Sequence, residues 1–141
     1  MREIILSAHY IFSIFYLVSS LLLIGISIHG LRKKSEFSGF KAKVLFATVL
    51  SLDFQLLFGL NLFFFSSSNQ EIINPNTLKI FSRFWQTEHI ILMLFAFATA
   101  HLGYIIIKKK SKSIEKYKSS LLYFSISTGM VILSLFAAHF S

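Results

Sequence analysis

Residues 4–31 read IILSAHYIFSIFYLVSSLLLIGISIHGL, without one Lys, Arg, Asp or Glu. A hydrocarbon interior about 30 Å thick takes about 20 helical residues to cross, and this run exceeds that. It also exceeds the apolar core of a secretory signal peptide, about 7–15 residues. No small-residue cleavage site follows it; Arg32-Lys33-Lys34 follows instead. The run therefore reads as a membrane-spanning helix. Three further runs repeat the pattern: 44–65 with the single acid Asp53, 84–107 with the single acid Glu88, and 119–140 with no charge. In lipid every backbone N–H and C=O must be satisfied within the segment, which a helix does by itself. None of the runs alternates strictly, as a membrane barrel strand would.

The connections are 32–43, 66–83 and 108–118. Of 14 basic residues, eleven sit in the first and third: Arg32, Lys33, Lys34, Lys41, Lys43, and Lys108, Lys109, Lys110, Lys112, Lys116, Lys118. Short basic connections stay in the cytoplasm. That rule predicts both termini and the middle connection on the non-cytoplasmic side. The middle connection carries a turn signal at Pro75, between two Asn residues, and Trp85 opens the third span at interfacial depth. The expectation is an all-α, transmembrane, up-down-up-down four-helix bundle forming one domain, residues 1–141.

Composition agrees. The chain of 141 residues is 55% hydrophobic and 14% charged, against about 25% charged in soluble domains. The net charge of +8 suits lipid headgroups beside the spans. It lacks the groove-sized basic face that nucleic acid requires. With no Cys, thiolate zinc sites, iron–sulfur ligation and disulfides are excluded. No phosphate-binding glycine loop, zincin helix, nucleophile elbow or calcium loop is present.

The informative residues are then the polar ones inside the spans, where a central Asp costs about 2.5–3.5 kcal/mol on insertion scales. They are His9, His29, Asp53, Gln55, Asn61, Glu88, His89, His101 and His139. His9 and His89 lie at matching depth near the start of the first and third spans. At helical spacing His9, Ser13, Tyr16, Ser20 and Ser27 share one face, and His89, Met93, Ala96, Ala100 and Gly103 share another. Small residues below a His suit close helix packing, and they equally leave space for a flat cofactor. The first and third spans run parallel on a diagonal of the simplest bundle, wider than a neighbour contact of about 8–10 Å. Two imidazoles across that diagonal can ligate one haem iron, and bundle cores are a usual place for such sites. His29 and His101 differ in depth and face, and make a poorer second pair. Asp53 and His101 fall at similar depth on antiparallel spans and are expected to pair. With Glu88 they are candidates for a proton path, Glu88 near the surface as an acceptor from a quinol. Glu88-His89 with Met93 is a poor copper set, since soft copper sites want Cys or several Met.

The second span reads Gln55-Leu-Leu-Phe-Gly59-Leu-Asn-Leu-Phe63, and the third opens Phe84-Trp85-Gln-Thr-Glu88-His89 and continues to Met93. With the early His9 and the basic run at Lys108, this order resembles the small bacterial four-helix integral membrane proteins labelled cytochrome b-like, over nearly the whole chain. The resemblance implies a bacterial inner-membrane location and haem b held by His9 and His89; Tyr16 and Met93, on the same two stripes, are the further candidates to line the cofactor. It implies electron transfer with a membrane redox partner or quinone. Asp53 departs from the family, standing where some members carry His, which puts a haem ligand from the second span in doubt. Two alternatives remain: a cofactor-free accessory subunit of a larger complex or homo-oligomer, and a proton conductor.

Overall fold

The computed structural model describes residues 1–66 and 87–140, with residues 65, 66 and 137–140 described by backbone alone. Pro75, Trp85 and the side chain of His139 lie outside the described residues. Four helices make up the described chain: α1 (Arg2–Lys33), α2 (Phe40–Ser66), α3 (His89–Lys109) and α4 (Ser113–Phe140). All four are long and apolar enough to cross a membrane, and no strand occurs among the described residues.

The helices run further into the basic connections than the apolar runs alone suggest. Arg32 and Lys33 form the last turn of α1, and Lys108 and Lys109 the last turn of α3. Lys and Arg are good helix formers, and a cation in the last turn is favoured by the helix dipole. Each long stem also reaches along apolar surface to place its charge in water. α1 closes with Lys34 in the left-handed region, φ 51°, its N–H returning to the Gly30 carbonyl. Gly39, at φ 57°, then turns the chain into α2. Only residues 34–39 and 110–112 separate the paired helices, so each pair is an antiparallel hairpin.

α1 packs along α2 and α3 along α4, α1 also packs on α4, α2 meets α3 more sparingly, and α1–α3 and α2–α4 scarcely touch. α1 and α3 therefore occupy one diagonal. The distribution of residues is inverted relative to a soluble bundle. Ser19, Ser20, Ser27, Thr48, Ser51, Ser120, Ser127, Thr128 and Ser134 are buried, while Ile11, Ile14, Val18, Phe46, Phe95 and Phe136 are exposed. Lipid tails are as apolar as Leu, so membrane helices gain little by burying Leu against each other and more by approaching closely through small side chains. Several of the buried hydroxyls are satisfied within their own helix: Ser27 donates to the Leu23 carbonyl, Thr48 to Val44 and Ser51 to Thr48.

The basic end is locked by Tyr117, whose ring is fully buried. Its hydroxyl donates to the Glu36 carbonyl at 3.0 Å and accepts from the Lys41 ammonium. Lys41 also donates to Ser35 Oγ at 2.8 Å and to the Glu36 carbonyl at 2.9 Å. The Phe37 N–H donates to Ser113 Oγ at 3.0 Å, tying the first connection to the start of α4. Gly30 of α1 lies flat against the Tyr117 ring, which a Cβ there would overlap. Gly30→Ala is expected to destabilise the bundle by about 1–3 kcal/mol through overpacking. Gly25→Ala, whose Cβ would meet nothing within 4 Å, is expected to be neutral or mildly stabilising. Thermal denaturation of the purified protein in detergent distinguishes the two.

Candidate functional site

The small-residue face of α1 carries His9 on its first turns, and that of α3 begins with His89. The buried residues of α1 are Tyr16, Ser19, Ser20, Leu23, Ser27 and Gly30. Those of α3 are Met93, Ala96, Ala100, Gly103 and Ile107. These stripes set the rotation of both helices and aim the two His side chains inward. Their ring centroids lie 6.4 Å apart, with the ring planes at 78°. Both rings are half-buried.

Each ring is held by a neighbour on another helix. His9 Nδ1 is 3.0 Å from the Gln55 carbonyl of α2. A carbonyl only accepts, so Nδ1 carries the proton and the neutral ring keeps its lone pair on Nε2. Gly59, one turn further along α2, faces the same ring: a Cβ there would sit 3.1 Å from His9 Cε1 and 3.4 Å from Nδ1. His89 Nδ1 and Ser134 Oγ of α4 share a hydrogen bond of 2.6 Å. All four helices thus contribute at this level. One turn deeper on α2, the Gln55 side chain is buried and its Oε1 has no hydrogen-bond partner.

Tyr16 and Met93 lie below the two rings and are buried. Ser127 donates to the Ala96 carbonyl at 2.8 Å. The hydroxyl has one proton, so in the 2.7 Å contact between Tyr16 and Ser127 the tyrosine donates. That relay links α1, α4 and α3 and closes the site from beneath.

The remaining polar residues go elsewhere. His101 Nε2 lies 3.0 Å from Asp53 Oδ1. Its Nδ1 donates to the Phe97 carbonyl at 3.0 Å, and its ring stacks on Phe97 with centroids 4.0 Å apart. The pair bridges α3 and α2 but faces outward, with 32% of the His101 side chain and 41% of the Asp53 side chain exposed. Glu88 is exposed at the start of α3, thirteen residues from His101, or about 20 Å of helix. The three do not form a continuous path. His29 is exposed on α1 and borders a groove with Lys41, away from the His101 pair. Asn61 is exposed on α2.

The partners of the two rings, the Gln55 carbonyl, Gly59 and Ser134, are not identified by the polar residues of the spans. For Ser134 a signal exists in the spacing: Ser120, Ser127 and Ser134 recur every seven residues and are all fully buried.

Comparison with protein-family models, with curated proteins and with solved structures gives no match to this chain. Among the described residues no three His, Cys, Asp or Glu side chains cluster to hold a metal ion by themselves.

The hydrogen bond to Gln55 fixes one tautomer. In the ligand-free protein, ¹⁵N-histidine NMR is expected to show His9 as the neutral Nδ1–H form. Gly59→Leu, which drives a side chain into the ring, is expected to broaden or shift that resonance while leaving His101 unchanged.

Proposed function

We propose that this chain is an integral membrane b-type haem-binding protein that serves electron transfer, with His9 and His89 as axial ligands. The reading is carried by the separation of the two rings. With metal–nitrogen bonds of about 2.0–2.1 Å, two imidazole rings whose centres lie about 6 Å apart are close enough to reach one metal ion between them. The rings stand 6.4 Å apart. The donor set agrees: two imidazoles are too few for a structural zinc site, which takes four ligands, and sufficient for an iron whose equatorial positions are filled by a macrocycle.

The chain's own residues supply the rest. The Gln55 carbonyl orients His9 through Nδ1 and leaves Nε2 to the metal, the usual outer hydrogen bond of a ligating histidine. Ser134 holds His89 through a hydroxyl, which can accept from Nδ1 when Nε2 is to take the metal. Gly59 gives the His9 ring room, and Met93 and Tyr16 wall the site below. Gln55 Oε1 is a buried acceptor with no hydrogen-bond partner, and such a group is expensive unless something engages it. A bound haem would supply one-electron chemistry at a potential tuned by these ligands and by burial. By the positive-inside rule, the site lies toward the non-cytoplasmic face of a bacterial inner membrane.

A second reading, a cofactor-free subunit, draws on the Asp53–His101 pair. An ionisable pair partly exposed at membrane depth is unfavourable in lipid and would be covered by a neighbouring protein surface.

Visible spectroscopy separates the readings. Haem binding gives a sharp Soret band that shifts on reduction, in one-to-one ratio with protein. His9→Ala and His89→Ala are each expected to abolish the six-coordinate spectrum, and Ser134→Ala to weaken haem affinity about 10–100-fold. Purified, haem-supplemented protein without a Soret band would leave the subunit reading.

A further inference from the structure

We propose that the α3–α4 hairpin binds an anionic phospholipid in a defined groove at its basic end. The groove is open to the surface, with a volume of about 530 Å³, and is lined by Ile106, Lys109 and Lys110 of α3 and its end, and by Ser119, Leu122 and Tyr123 of α4. Its composition changes along its length. Ile106, Leu122 and the Tyr123 ring form an apolar wall on the membrane side. Lys109, Lys110 and Ser119 lie toward the basic end of the hairpin, both lysines exposed. That sequence of surfaces matches one molecule: a phosphate on two ammoniums and a hydroxyl, an acyl chain along the apolar wall.

A second groove on the opposite hairpin shows what a merely basic groove lacks. It is lined by Leu21, Leu22, Gly25, Ile26, His29 and Lys41, and encloses about 400 Å³. Its one ammonium is already engaged: Lys41 donates to Ser35 Oγ, the Glu36 carbonyl and the Tyr117 hydroxyl. An ammonium has three donors, so none is left for a phosphate. Lys109 and Lys110 are exposed, and the only ion pair among the described residues is Asp53 with His101. Lys108, the neighbour in sequence, is directed to the Tyr104 ring at 5.5 Å instead. The charge in the α3–α4 groove is therefore available to an outside anion, and the charge in the α1–α2 groove is not.

The test uses the full chain purified in a neutral detergent, with phosphatidylglycerol as the probe and phosphatidylcholine as its neutral counterpart. Native mass spectrometry reads retained lipid. Retention of one phosphatidylglycerol in preference to phosphatidylcholine is expected. K109Q/K110Q is expected to weaken it roughly twenty-five-fold, about fivefold for each lysine, and Lys109→Gln alone about fivefold if the double variant does not fold. Leu122→Trp, which fills the apolar wall and keeps both charges, is expected to weaken it as well. K33Q/K34Q removes the same charge from the other connection and is expected to change it less than twofold. Equal retention of the two lipids overturns the site, as does an equal loss in K33Q/K34Q. Undiminished binding in Leu122→Trp reduces the interaction to surface charge and overturns it too.

Discussion

Helices in hydrocarbon have no solvent to drive them together, so this bundle is built on small side chains that let backbones approach. Ser20, Ser27, Thr48, Ala96, Ala100, Ser120 and Ser127 are all fully buried. Where a hydroxyl donates to a carbonyl of its own helix, as Ser27 does to Leu23, it presents only its small size to the neighbour. Ser127 instead ties helices, between Tyr16 and the Ala96 carbonyl, while the Ser120 and Thr128 hydroxyls have no hydrogen-bond partner. The two buried tyrosines, Tyr16 and Tyr117, each end in a satisfied hydroxyl. Polar contacts thus set the rotation of each helix, and that rotation brings His9 and His89 to face each other.

The order and number of spans, their diagonal relation and the inward faces of α1 and α3 are legible in the sequence. The His9–Ser27 and His89–Gly103 stripes fall on helices whose other sides are Ile, Leu and Phe, so the phase is unambiguous. The Asp53–His101 contact is legible for a different reason: two ionisable groups at one depth in lipid have few other partners. The outer partners of the two His rings are not legible. α2 and α4 carry Ser, Phe and Thr on several sides, so their phase follows from packing rather than pattern. The role of Gly59 depends on a contact that appears only once α2 is turned toward His9. The Tyr117 lock is hidden because Lys41 reads as one more cation in a basic connection, whereas its ammonium is bound up in the connection's own carbonyl and hydroxyls.

The two ends of the bundle differ in kind. At the end where α1 and α3 begin, the interior holds two imidazoles, a glycine and a serine, and the helices meet through hydrogen bonds to rings. At the other end the interior is filled by Tyr117, Phe37 and Ile107, and the connections are pinned to each other through Ser113 and Glu36. The contacts that tie the two hairpins through their connections are therefore concentrated at the basic end, and the two inward imidazoles at the other.

Within the site the two rings are not equivalent. His9 is oriented by a main-chain carbonyl, which no side-chain substitution at Gln55 removes. It also carries a defined tautomer, because a carbonyl cannot donate. His89 is oriented by a hydroxyl, which can donate or accept. A metal bound between them would find one ligand prepared in advance and one that adapts. The asymmetry traces to α4, where Ser134 is the hydroxyl partner of His89.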